Sequence, residues 1–189
     1  MIRCPRCFYS YKIDEEKVKK SKVLHCPMCK YLTSVFGARE SFLLREAERK
    51  DLDGIMELYL HLHETEVPEY SLPLIDAWDN IMTDPNYHLI LGEVKGKIVS
   101  SCACVIIPNL TRSARPYALV ENVVTHGEHR GKGYAGACLE YAKMIAEENN
   151  CYKMMLMTGA KDEKTLDFYR DAGYNSADKT AFVQWLGQI

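Results

Sequence analysis

The sequence predicts a mixed α/β domain behind a small metal-clamped module. Three observations carry that expectation. Two C-P-x-C pairs, Cys4/Cys7 and Cys26/Cys29, stand near the N-terminus. After them, apolar residues switch repeatedly between the two-residue repeat of strands and the helical repeat. A basic, glycine-rich stretch, Arg130-Gly131-Lys132-Gly133-Tyr134-Ala135, joins a β-branched run to an amphipathic helix.

The chain has 189 residues, with 47% apolar and 26% charged content. That suits one sizeable core plus a small module. A net charge of −2 gives no molecule-wide field for nucleic acid. No apolar run approaches a membrane span, so no membrane partner is expected. Met1-Ile2-Arg3-Cys4-Pro5 lacks the apolar core of a signal peptide. Eight cysteines without a secretion signal favour a reducing, cytoplasmic setting.

Residues 1–38 form the predicted module. Each C-x-x-C turn sets two thiolates on one ion, and two turns close a tetrahedral site with no open position. Cys4, Cys7, Cys26 and Cys29 are thus the expected ligands of a structural Zn²⁺. Residues 8–13 alternate like a strand, and strand-like runs enter and leave the second pair, as in a zinc ribbon. So short a segment could not otherwise bury enough surface to fold. Disulfides are disfavoured by compartment, and a redox dithiol would leave the second pair without a role. His25 adjoins a ligand but the four cysteines fill the site. Lys17, Lys19, Lys20, Lys22 and Lys30, with Phe8, Tyr9 and Tyr11, could meet nucleic acid. Aromatics packing a tiny core beside solubilising lysines, or a protein contact, is the favoured reading.

Residues 40–189 form the second domain. Its first strand is Phe42 to Glu46, and Asp51 is placed to cap a helix carrying Ile55, Leu58 and Leu62. His61, His63 and Glu64 look like metal ligands, but i, i+2 spacing points the histidines apart. Pro68 and Pro73 break the chain, and a second helix spans Leu72 to Met82. Tyr87–Leu91 and Ile98–Ile107 form a hairpin turning at residues 93–97. Residues 109–116 form a polar loop, in which Arg112 and Arg115 could meet an anion or simply solvent. A strand from Tyr117 to Thr125 follows, then a helix from about Lys132 to Asn149. The apolar run of residues 152–158 is a central strand, Asp162 to Ala172 a helix capped by Gly173, and Thr180 to Leu186 a last strand. Cys102, Cys104 and Cys138 read as small buried hydrophobes rather than catalytic thiols.

The glycine-rich stretch has the physics of an anion cradle. The first amides of a helix lack intrahelical partners and carry the positive end of the dipole. Gly131 and Gly133 remove side chains that would hold a phosphate away, while Arg130 and Lys132 add charge. A simple packing turn is the competing reading. The stretch is neither a dinucleotide fingerprint nor a P-loop.

These residues resemble the GCN5-related N-acetyltransferases (GNAT). The family's acetyl-CoA signature, [RQ]-x-x-G-x-[GA], reads here as Arg130, Gly133 and Ala135. A second signature, F-Y-x-x-x-G-[FY], stands at Phe168 to Tyr174, and Leu44-Arg45-Glu46-Ala47 followed by Asp51 is a third cue. The resemblance covers about Glu40 to Ile189. It implies the GNAT acyl-CoA N-acyltransferase fold, a mixed, mostly antiparallel sheet flanked by helices. It also implies acetyl-CoA as co-substrate and a small-molecule or peptide amine as acceptor. The backbone of Val123, Val124 and Thr125 would bond the pantetheine arm beside a splayed strand. The amides of Gly131, Lys132, Gly133, Tyr134, Ala135 and Gly136 would hold the diphosphate beside Arg130. The region of His61, His63 and Glu64, with Glu66, Glu69 and Tyr70, would line the acceptor pocket.

Tyr169 falls at the family's tyrosine, either protonating the departing thiolate or packing under the cofactor. Asp162 stands where the family often has a cofactor-binding Asn; it accepts but cannot donate like an amide. Some relatives carry a Glu on the fifth strand as base; that position is Met157 here. Glu121 then becomes the leading base, directly or through water, against an orienting or structural carboxylate. Val120-Glu121-Asn122-Val123-Val124 and Asn150-Cys151-Tyr152-Lys153 further resemble the V-E-D-V-V and N-C-Y-K segments of glucosamine-6-phosphate N-acetyltransferases. That likeness implies Glu121 and Asn122 as sugar contacts, with Asn122 replacing an Asp. Those enzymes lack a fused zinc ribbon. A homodimer is also expected. The rival reading is a zinc-ribbon module binding nucleic acid or protein, with the GNAT-like domain as a regulatory scaffold.

Overall fold

The computed structural model describes residues 42–62 and 66–186, and the backbone of four short strands before them. Those strands form two hairpins. β1 (Ile2–Arg3) pairs antiparallel with β2 (Ser10–Tyr11), and β3 (Val23–His25) with β4 (Leu32–Ser34). In sequence each hairpin spans one C-P-x-C pair; the four cysteines lie outside the described residues. β4 also pairs with β5 (Phe42–Glu46) at Thr33 and Leu43, so the second hairpin continues the main sheet.

β5 leads into α1 (Leu52–Tyr59) and α2 (Leu72–Thr83), followed by β6 (Tyr87–Val94), β7 (Lys97–Ile107) and β8 (Tyr117–Thr125). α3 (Tyr134–Glu148), β9 (Met154–Leu156) and α4 (Glu163–Asp171) complete the domain. β5 to β8 pair antiparallel in sequence order, and β9 joins β8 in parallel. This is the mixed sheet that the sequence predicts. The β6–β7 hairpin turns on Lys95 and Gly96, both left-handed (φ 52° and 80°), which suits the twist of the flanking strands.

Both faces of the sheet are covered. Leu89, Leu91 and Ala103 pack with Ile55, Leu58 and Trp78 of α1 and α2. Ile90, Cys102, Cys104 and Val120 pack with Tyr134, Cys138 and Leu139 of α3. Strand alternation sends successive residues to opposite layers. Double-sided burial explains why β6 and β7 read as near-continuous apolar runs. The buried cysteines pack as expected: burial pushes the Cys104 and Cys138 thiols up to about 12, leaving them inert at neutral pH.

Several expectations change. Asp51 precedes α1 but does not cap it with its side chain. Its carboxylate instead receives Arg45 Nη1 and Nη2 at 2.6 and 2.8 Å and the Glu48 amide at 2.7 Å. Arg45 Nε also donates to Glu93 at 3.1 Å, so one guanidinium ties β5, β6 and the entry to α1. Pro73 does not break the chain; it sits in the first turn of α2, where its amide would lack a partner anyway. Ser71 caps that helix through Leu74 N. Residues 152–158 form only the three-residue β9. Thr180 to Leu186 form no strand: Phe182, Trp185 and Leu186 are 92, 72 and 94% exposed. Strand propensity is realised only against a partner edge and a packed face, and this segment has neither.

The Arg45–Asp51 pair carries a prediction. Burial alone would raise the Asp51 carboxyl, but the Arg45 fork and the Glu48 amide outweigh it and hold it below the usual carboxylate range. A carboxylate depressed in the fold stabilises above the unfolded value of about 4, and that contribution is lost as pH falls through the lower folded value. Asp51→Asn should lower urea-unfolding stability by about 2 kcal/mol, less than a fully buried pair would lose. It should also flatten the acid limb of the stability profile. An unchanged midpoint and limb would remove Asp51 from this role.

Candidate active site

The site begins where β8 leaves β9. Ala118, Leu119 and Val120 pair with Met154, Met155 and Leu156, and the ladder stops there. On its other edge β8 stays with β7, but out of step: Ser101 pairs with Val124 and Ala103 with Glu121. Asn122 and Val123 therefore oppose the single residue Cys102, and Asn122 takes φ 52°. Such a bulge bends the strand that carries the extra residue. Buried Ser100 holds the end of β8 on the β7 side, its hydroxyl donating to Val124 O at 2.9 Å and sharing a hydrogen bond with Thr125 Oγ1 at 2.8 Å. Among the described residues, 121–125 have no strand partner toward β9. The sheet is thus unpaired on the β9 side of Val123, Val124 and Thr125, which leaves a gap in the ladder there.

The cradle lies at the mouth of that gap. Gly131 and Gly133 take φ 74° and 81°, conformations costly for any side chain, and a side chain at Gly131 or Gly136 would face open space. Gly133 in this conformation precludes a helix starting at Lys132, so α3 starts at Tyr134. The first α3 bond runs from Ala137 N to Gly133 O at 3.0 Å, so the amides of Ala135 and Gly136 precede the first intrahelical bond. The Tyr134 ring is buried and stacks on Phe42 at 4.2 Å, so only its backbone belongs to the cradle. Arg130 is turned away: Nε donates to Thr125 O and Nη2 to His61 O, both at 3.1 Å. The His61 ring packs against His126 at 4.1 Å, tilted by 56°, and His126 meets His129 edge-on at 5.5 Å.

Glu121 aligns with Ala103 and Leu89 across the sheet, which places it on the α1/α2 face. Burial pushes its carboxyl up. Tyr169 comes from the opposite layer, where α4 packs on α3. Burial raises its phenol, and the charges of Cys102 and Glu121 add to that. Two tyrosines that sequence reasoning passed over complete the site. Burial raises Tyr87, with Glu121 adding to it. Burial pushes Tyr59 up to about 12, with Tyr87 adding to it. Tyr87 shares the face of Leu89 and hence of Glu121 by strand alternation, a signal available once the register is known.

Asp162 does not reach into the gap: its Oδ1 caps α4 by accepting from Thr165 N at 2.9 Å. Arg115 is committed to the carbonyls of Asn150 and Cys151 at 3.1 and 3.0 Å. Glu66, Glu69 and Tyr70 are exposed beyond α1, with Tyr70 donating to Asp53; His63 and Glu64 lie outside the described residues.

The strand fork and the helix-terminal cradle lie within one stretch of the chain. The Acetyltransferase (GNAT) family profile matches residues 52–174, which contain both. The chain belongs to the GNAT acetyltransferase family. A glucosamine 6-phosphate N-acetyltransferase of Trypanosoma brucei brucei is 32% identical over 142 residues, 72% of this chain and 90% of that one. A solved structure from Agrobacterium tumefaciens str. C58, provisionally described as an acetyltransferase, is 34% identical with a TM-score of 0.70, covering 75% of this chain and 99% of its own. The glucosamine-6-phosphate N-acetyltransferase of Arabidopsis thaliana, at 20% identity and a TM-score of 0.68, shares the fold over 77% of this chain and 99% of its own. This GNAT protein is therefore an N-acetyltransferase. No helix among its described residues is long and apolar enough to cross a membrane.

Proposed function

We propose that this protein moves an acetyl group from acetyl-CoA to the primary amine of an amino sugar by direct attack on the thioester. The observation that carries this reading is the gap that opens past Val120 and Leu156, with Glu121 on one side and Tyr169 on the other. The pantetheine arm would lie along Val123, Val124 and Thr125, its diphosphate on the amides of residues 131–136, with Lys132 lending charge at the rim and Arg130 held by the carbonyls of Thr125 and His61. Asp162, committed to its cap, is a neighbour of the cofactor rather than a donor to it. Sugar hydroxyls would meet Glu121 and Asn122; the amino-sugar class is supported by the likeness to a trypanosomal enzyme named for glucosamine 6-phosphate.

The chemistry balances within these residues. Glu121, directly or through a water, takes a proton from the acceptor ammonium, and the freed nitrogen attacks the thioester carbonyl carbon. The carbon–sulfur bond breaks, the departing thiolate takes the Tyr169 proton, and the second proton of the acylated nitrogen passes back to the Tyr169 phenolate through solvent, so the net proton released rests on Glu121. A raised phenol stays protonated at neutral pH, and a raised carboxyl is a stronger base than an ordinary one. Tyr59 and Tyr87 would orient the acceptor beside Glu121.

At the N-terminus, Cys4, Cys7, Cys26 and Cys29 would hold one Zn²⁺. The two hairpins that span the cysteine pairs in sequence support a ribbon. With no position open at the metal, the ribbon offers a surface for a protein partner or a second copy rather than chemistry.

Calorimetry with acetyl-CoA tests the first claim: saturable binding is expected, and no heat up to millimolar ligand would overturn it. With glucosamine 6-phosphate as acceptor, Tyr169→Phe should lower kcat about 100-fold. Glu121 acts as base only when ionised, so kcat/KM should rise with pH through a value above the ordinary ~4.3 of Glu. Glu121→Gln should lose that limb; a retained limb would remove Glu121 from the base role. Metal analysis should find one zinc per chain, and Cys4→Ser should release it.

A further inference from the structure

Arg130 heads the cradle signature, yet its fork spans two walls of the site. Thr125, which receives Nε, ends β8 and so ends the cofactor wall. His61, which receives Nη2, lies just past the end of α1, on the acceptor face. Carbonyls at a helix C-terminus lack intrahelical partners, so Arg130 supplies what the helix cannot. The His61 ring adds a second tie by packing against His126, itself fixed by accepting the Glu128 amide through Nδ1 at 3.3 Å. Both ties join the end of α1 to the loop of residues 126–133.

We infer that Arg130 is a positioning residue whose fork, together with the His61–His126 contact, fastens the acceptor-side helix end to the coenzyme A loop. Filling the cradle then stiffens the acceptor wall, and by reciprocity an ordered acceptor wall tightens the cradle. The tie is also acid-sensitive. His61 faces His126, Arg130 and Lys97 against one carboxylate, Glu128. Burial first, and then these cations, favour the neutral imidazole. A histidine lowered in the fastened state keeps its contribution above the free value near 6.5, and loses it as pH falls below that through the depressed value.

The inference rests on the acetyltransferase reading only in using coenzyme A as the probe; the uncomplexed protein tests the tie alone. Hydrogen exchange at residues 58–62 is the measurement, corrected for intrinsic rates. Arg130→Gln and Arg130→Lys should each speed exchange there about tenfold, since lysine keeps the charge but not the fork. Wild-type exchange should quicken between pH 7 and 5, and His61→Gln, which keeps the backbone carbonyl that Arg130 binds, should remove that dependence. Coenzyme A should slow exchange at 58–62 in the wild type and not in Arg130→Lys, while its Kd changes less than twofold in that variant. Wild-type exchange in Arg130→Lys, or a tenfold weaker Kd with unaltered exchange, would overturn the proposal and make Arg130 a phosphate ligand. If Arg130→Gln fails to fold, Arg130→Lys decides. If coenzyme A does not bind at all, the acetyltransferase reading fails while the exchange of the free protein still tests the tie.

Discussion

Two residues of β8 stand opposite one residue of β7, and the site depends on that mismatch. A regular β8 would have kept pairing with β9 beyond Val120 and sealed the sheet. The extra residue bends the strand, and Asn122 absorbs the bend at φ 52°. Ser100 then decides which neighbour keeps the strand's end. Its buried hydroxyl binds the backbone and side chain of β8, and a hydroxyl there would be costly to bury unpaired. The gap is therefore held open by bonds on the far side of the strand rather than by anything inside it. Because the cradle loop continues directly from Thr125, the direction of β8 also aims the helix-terminal amides at the mouth of the gap.

The same desolvation acts on every ionisable group around the gap, with uses that differ by group. It lifts a carboxyl toward the pH at which it can take a proton from an ammonium. It lifts a phenol away from any pH at which it would lose its own. Glu121 and Tyr169 share one cause, and in the proposed function they would diverge in role: one an acid weakened into a useful base, the other an acid kept intact. Tyr59 and Tyr87, raised likewise, stay neutral, so a cation approaching Glu121 meets hydroxyl dipoles and a single carboxylate. That suits a polar, singly charged amine better than a polycation.

How much of this was legible in the sequence follows from how locally each feature is determined. The cradle was legible because left-handed backbone demands glycine, and Gly131 and Gly133 announce it. The strand and helix order was legible because burial period is local. The role of Asp51 was not, since a carboxylate before a helix can cap it or bind an arginine from another strand, and only tertiary structure chooses. Asp162 met the opposite fate, claimed by its own helix. Tyr59 and Tyr87 were hidden because joining them to Glu121 requires register across three strands. The segment from Thr180 to Leu186 misled because its residues favour strands while a strand also needs an edge to join.

The two layers of helices explain why a tie such as that of Arg130 is useful. In the proposed function, cofactor binding belongs to α3 and its loop on one face, and the acceptor to α1 and α2 on the other. The sheet that would couple them is interrupted where the reaction occurs, so it cannot carry rigidity across the gap. α1 is eight residues long, so few turns of its own hold its end. A guanidinium fork suits the task because it is planar, permanently charged and able to reach two carbonyls at once. An enzyme that must hold an amine within bonding distance of a thioester needs both walls in one frame. With the sheet open between them, that frame has to be restored by side chains, and Arg130 is the one that reaches both.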